Sequence, residues 1–190
     1  LGFVPRRGVH AMRLSVNYQP RPGWQLVRQM FHEFVPSLVT DLAGRWESYR
    51  VFMAPVNWRL ESGDRFEFNV VPGGERLTTP FDVAPGVVIP PGRYHQVRYR
   101  LEAEFAAKRR LSGQATWWFG TFFDGTLHQV QVSAVWNPWP LVTAELDAER
   151  DIGRLAAGDF TRDLVGARLK LNLSPDLQLN SFLQYDNETD

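Results

Sequence analysis

The chain has 190 residues and 21.8 kDa, with 44% hydrophobic residues, which excludes an intrinsically disordered chain. Lys plus Arg (21) equals Asp plus Glu (21), so the totals carry no basic excess for nucleic acid. No apolar run approaches the roughly 18 residues of a membrane-spanning helix, and the absence of cysteine removes disulfides, thiolate metal sites and cysteine nucleophiles together.

Along the chain the dominant signal is a period of two, the mark of a strand with two unlike faces. Met12, Leu14, Val16 and Tyr18 alternate with Arg13, Ser15, Asn17 and Gln19. Segments 25–40, interrupted by Pro36, and 45–61 alternate less cleanly. Phe66, Phe68 and Val70 alternate with Arg65, Glu67 and Asn69. The stretch 71–93 carries Pro72, Pro80, Pro85, Pro90 and Pro91 and reads as a long surface loop, because proline cannot donate to a ladder. Val97 to Phe105 alternates with Gln96 to Glu104, and 112–123 follows less regularly. Val130, Val132, Ala134 and Trp136 share one face, as do Val142, Ala144, Leu146 and Ala148 on the next segment. After a connection at 150–161, Val165, Ala167, Leu169, Leu171 and Leu173 alternate, and Leu177, Leu179, Leu183 and Tyr185 close the series. The pattern predicts one all-β region over 1–190, an antiparallel up-and-down meander of about ten strands. Tight turns at Pro20–Gly23, Glu61–Asp64, Lys108–Arg110, Asn137–Pro140 and Ser174–Asp176 mark one end, and the longer connections mark the other.

Alternation alone does not say which face is outside. A soluble sandwich or barrel turns the apolar face inward, and a membrane barrel turns it to lipid. Three features favour lipid. Aromatic residues gather at strand ends (Trp24, Trp46, Trp58, Tyr94, Trp136, Trp139, Tyr185), as interfacial girdles do. The polar face is charged at mid-strand: Arg98, Arg100, Glu102, Glu104, Glu145, Asp147, Glu149, Arg168 and Lys170 are the candidate lumen residues. The acidic row of one strand is expected to meet the basic row of the next. Most segments also run to about 9–13 residues, where a tilted membrane strand needs about 9–11. Phe66, Phe68, Leu101, Phe105, Val132, Leu169 and Leu171 are then the lipid-facing candidates.

The opening LGFVPRRGVH (Leu1–His10), the stretch GERLTTPFDVAPGVVIPPGRY (Gly74–Tyr94) and the closing GDFTRDLVGARLKLNLSPDLQLNSFLQYDNETD (Gly158–Asp190) resemble an uncharacterised family of Gram-negative outer-membrane proteins. The resemblance implies a β-barrel that in the family follows a carbohydrate-binding domain of the family-nine type, and it spans only the barrel part. No ligand residue of the carbohydrate-binding half has a counterpart here. Both the polar ending of the last strand and the direction of the first point to an interior piece of a larger barrel.

No motif supplies chemistry. His10, His32, His95 and His128 are widely spaced, and no nucleophile elbow, phosphate loop or dinucleotide fingerprint occurs. The expected protein is non-enzymatic, with no metal and no cofactor. Acids between Asp151 and Asp159 and between Asp186 and Asp190 read as solvated loop residues without calcium-loop spacing. The expectation is a segment of an outer-membrane barrel, in contact with membrane lipid, that passes or positions a polar solute such as carbohydrate. The alternative is a periplasmic or secreted soluble β-barrel or sandwich that binds lipid or sugar.

Overall fold

The computed structural model describes residues 8–174 and 176–187. The first seven residues of the resembling segment, Pro175 in the expected turn and the last three residues lie outside them.

Strand takes 78% of the described residues and none of them is helical, so the all-β expectation holds. The strands are β1 (Val9–Arg13), β2 (Val16–Tyr18), β3 (Val27–Met30), β4 (His32–Asp41), β5 (Trp46–Leu60), β6 (Arg65–Leu77), β7 (Phe81–Ala84), β8 (Val87–Ile89), β9 (Gly92–Phe105), β10 (Leu111–Phe122), β11 (Gly125–Trp139), β12 (Val142–Leu155), β13 (Gly158–Ser174) and β14 (Leu177–Asp186). Twelve of them form one antiparallel up-and-down sheet in the order β1-β4-β5-β6-β9-β10-β11-β12-β13-β14. β1 and β2 lie end to end along β4, and β3 extends the line of β4 along β5. The meander therefore has ten lanes. Among the described residues β1 and β14 pair with no strand beyond the sheet.

Two expected loops are strands instead. In place of a loop over 71–93, β6 runs to Leu77, β9 begins at Gly92, and the residues between form the β7–β8 hairpin. Pro72 is tolerated in a central strand because its missing amide falls at a gap in one ladder. The β5–β6 pairs step from Arg50↔Gly73 to Met53↔Val70, leaving Pro72 no partner there, while Pro72↔Val97 continues on the β9 side. The Val97 carbonyl accepts from Thr121 Oγ1 on β10 (3.4 Å), so it does not need a Pro72 donor either. The segment 150–161 is likewise no loop: β12 and β13 meet at a two-residue turn, Ala156–Ala157. Both ends of the sheet are therefore mostly tight. Only the 78–91 excursion is long at one end, and 19–26 at the other.

Register sorts every side chain onto one of two faces. Phe66↔Ala103↔Ala115↔Val132↔Ala148↔Val165↔Tyr185 runs across the apolar face. Glu67↔Glu102↔Thr116↔Gln131↔Glu149 runs one step along on the opposite face. The apolar face is the exposed one: Phe66 is 43% exposed, Leu101 43% and Val132 38%. The polar face is covered on β6 and at the hairpin end of β12, with Glu67 4% exposed, Asn69 0% and Asp151 4%, and it opens toward β14, where Gln131, Asp147 and Arg168 are exposed. Among the described residues the β7–β8 hairpin covers one end of this face, and no second layer covers the rest, since the other tertiary contacts run between ladder neighbours. A single sheet hides polar side chains in this way only by rolling toward them. A cavity of about 490 Å³ on that face is lined from β10 to β14, which needs the same concavity.

Candidate functional site: the charged inner face

The nine charged candidates (Arg98, Arg100, Glu102, Glu104, Glu145, Asp147, Glu149, Arg168, Lys170) all share the inner face by register. They divide into four groups. At the centre Glu67 accepts from Arg65 and from Arg100 (2.7 Å), and its other neighbour Asn69 donates to it at 2.9 Å. Arg100 also approaches Glu102 (3.4 Å), while Arg65 lies 3.9 Å from both Glu102 and Glu104. Thr116 donates to Glu102 from the next strand at 3.4 Å. Arg100 is further held over the Trp118 ring, its guanidinium carbon 5.4 Å from the centroid.

Toward the hairpin end, Arg98 donates to the Leu127 carbonyl (2.6 Å) and to Gln129 Oε1 (3.0 Å), and Gln129 donates onward to Asp151 (3.3 Å). Asp151 is opposite Arg162 in the ladder, and its Oδ1 has no hydrogen-bond partner. Asp151 is thus a buried member of the inner face, not a solvated loop acid. Toward the other end, Glu145 accepts from Lys170 (2.5 Å) and Arg168 (3.4 Å), which is the expected meeting of acidic and basic rows. Within the row Glu145, Asp147 and Glu149 the meeting is confined to Glu145. Asp147 faces Gly166 and Glu149 faces Leu164, so neither meets a cation across the ladder.

Asp147 and Glu149 instead line the 490 Å³ cavity with Gln114, Thr116, Gln131, Ser133 and Gln184, beside Arg168 and Phe182. Phe182 supports Arg168 from below, 5.3 Å from its guanidinium carbon. Amides, hydroxyls, two carboxylates and one aromatic ring make a surface suited to hydrogen-bonding a neutral polar solute. Among the described residues no three His, Asp or Glu side chains gather as metal ligands.

The lipid-facing candidates Phe66, Phe68, Leu101, Phe105, Val132, Leu169 and Leu171 all lie on the outer face. Aromatic rings continue across it: Phe68 stacks on Tyr99 (6.3 Å), Tyr99 on Phe119 (5.3 Å), Phe119 on Trp117 (4.4 Å) and Trp117 on His128 (6.0 Å). Of the girdle candidates, Trp136, Trp139 and Tyr185 are exposed, and Trp24 meets Trp58 edge-on at 6.2 Å. Trp46 packs against Tyr49 and His95, and the Tyr49 hydroxyl bonds His95 Nδ1 at 2.9 Å. Tyr49 reaches His95 across Gly74, where a Cβ would stand 2.4 Å from its ring, so this lane requires glycine. Tyr94 departs from expectation. It has the parity of Arg98 on β9, so it faces inward, packing 5.2 Å from Phe123 and donating to the Pro90 carbonyl at 2.8 Å.

Arg65, Glu67, Asn69, Gln129 and Asp151 belong to the site although their strands named no chemistry. The signal was available in the alternation of Arg65, Glu67 and Asn69 opposite Phe66 and Phe68. What placed them together was the ladder, which no local pattern reveals. No family model, curated protein or solved structure matches the chain.

Proposed function

We propose that this chain is part of an outer-membrane β-barrel of the Gram-negative family it resembles, with the outer face against lipid and the inner face lining a lumen. The single observation that carries the reading is the inversion of burial. Phe66, Leu101 and Val132 are exposed while Glu67, Asn69 and Asp151 are hidden. In water this arrangement would expose a continuous apolar surface far larger than a soluble monomer tolerates. In a bilayer it is the lowest-cost one, since the sheet strands from β4 to β13 each have a ladder on both sides and the charged groups stay out of hydrocarbon. Among the described residues, the alternative soluble core of Phe66, Phe68, Leu101, Phe105, Leu169 and Leu171 has no counterpart layer to bury it.

The role is structural and transport-class, without catalysis, and the inner wall admits or positions a polar solute such as a carbohydrate. Support comes from the cavity on β10 to β14, whose amides and carboxylates alternate at the pitch of a sheet.

The test is a heat-modifiability gel on the chain refolded in detergent micelles, beside a detergent-free control. A faster unboiled band seen only with detergent is the expected result. A monomeric, cooperatively folded protein without detergent refutes the proposal.

A further inference from the structure

The β7–β8 hairpin is short, and two-stranded hairpins are marginal by themselves in water. Yet Ile89 is 0% exposed, Val87 5% and Ala84 9%. Their burial comes from a seat on the sheet made by Leu77 of β6, Tyr94 of β9, Phe122 of β10, Leu155 of β12 and Phe160 of β13, with Phe123 from the β10–β11 turn. By register each of the five strand residues shares the face of Arg98, Asp151 and Arg162. The hairpin is therefore folded onto the inner wall, across strands β6 to β13. It is not splayed outward from the rim.

Three features hold it there. Phe123 takes a left-handed φ of 49°, which costs energy for a residue with a side chain but turns its ring into the seat, 5.8 Å from Phe81. Gly153 leaves room for Phe160, since a Cβ there would stand 2.0 Å from the Phe160 ring. Gly158 places β13 so close that its Cβ would touch Val87 at 3.4 Å. Directly below the apolar seat begins the polar lining: the Arg98 guanidinium carbon lies 5.8 Å from the centre of the Phe122 ring.

We infer that the hairpin is a fixed constriction seated inside one mouth of the lumen, setting the size of the polar solute that the inner face admits. This rests on the barrel reading, with the hairpin as its size-determining element. A mobile lid would need its contacts to be polar and replaceable by water. Withdrawing this hairpin would expose the apolar seat instead, so it stays closed down to a fixed aperture.

The chain has no cysteine, so single introduced thiols report on the seat in the full chain folded in detergent. Val88 is 40% exposed and its neighbour Ile89 is not. Val88→Cys should react with a maleimide at least tenfold faster than Ile89→Cys; if Ile89→Cys does not fold, Val87→Cys replaces it. Equal rates overturn the seat. The aperture is then read by swelling of phosphatidylcholine–phosphatidylglycerol vesicles in glucose, sucrose and raffinose. Val87→Asp, which puts a charge in the apolar seat, should raise the trisaccharide rate several-fold over the parent, whereas Val88→Asp should not. An inserted Val87→Asp chain with the parent's size dependence overturns the constriction. A parent chain that gives no heat-modifiable band refutes the membrane reading instead, and the labelling contrast still decides whether the hairpin is seated.

Discussion

Val132 is the central residue of β11 and offers the sharpest perturbation. It is 38% exposed on the outer face, flanked in the ladder by Ala115 and Ala148, so an arginine there meets small neighbours and no steric obstacle. In water, replacing such a residue should change stability by no more than about 0.5 kcal/mol. At the midplane of a bilayer the same replacement costs about 2–4 kcal/mol, because the guanidinium enters hydrocarbon. That is roughly a 30- to 1,000-fold shift in the folding equilibrium. The adjacent residue supplies the control. Gln131 points inward between Thr116 and Glu149, so Gln131→Arg places its charge beside a carboxylate that has no cation across the ladder. Urea titration of the chain folded into phospholipid vesicles, followed by tryptophan fluorescence, measures both. Val132→Arg should lower the midpoint strongly and Gln131→Arg should leave it nearly unchanged or raised. Equal tolerance of the two substitutions, or a greater loss at Gln131, would refute the assignment of faces.

Asp64 ties the β5–β6 turn to the β9–β10 turn, accepting from Arg109 (2.7 Å), the Ala106 amide (2.9 Å) and Ser62 (2.8 Å). The Arg109 hydrogen bond, with those from Ala106 and Ser62, holds its carboxyl at about 2 against an ordinary 3.8. Its contribution is therefore complete above the ordinary value and is lost as pH falls from 3.8 toward about 2; Asp64→Asn should remove that acid-limb dependence in a denaturation series across this range. Glu67→Ala should destabilise by about 3 kcal/mol, since it strips Arg65 and Arg100 of a carboxylate that is only 3% exposed, while Glu145→Ala should cost less than about 1 kcal/mol because its partners are open to solvent. Similar midpoints for the two variants would contradict the buried network. Gly125→Ala should weaken folding by about 1–3 kcal/mol, as its Cβ would stand 1.9 Å from the Arg154 carbonyl oxygen, a backbone atom that cannot step aside; an unchanged midpoint would show that the β11–β12 ladder can open there.

The lane count, the identity of the strands from Val97 onward and the division into two faces were legible because a strand writes its own period of two into the sequence. The same reading placed every lumen-facing candidate on one face and every lipid-facing candidate on the other. Where it failed, the local cue was real but was outweighed by the neighbours. Pro72 argues against a central strand, yet its missing donor coincides with a break in one ladder while the other ladder continues. Asp151 resembles a loop acid because the Gly153–Gly158 region looks like a turn, but β12 and β13 extend through it and bury the carboxylate. Tyr94 carries the composition of a girdle residue, and its parity on β9 sends it inward.

What the residues determined by themselves was therefore the element type, the lanes and the face to which each side chain belongs, all consequences of local backbone geometry. What only the tertiary structure decided was the direction in which the sheet rolls, the meeting of Arg65, Glu67 and Arg100 across two strands, and the seating of the hairpin on the inner wall. Those depend on register between strands far apart in the chain. Register is set by the sum of all cross-strand contacts and by where bulges at Pro55 and Pro138 shift the pairing, and no single segment encodes that sum.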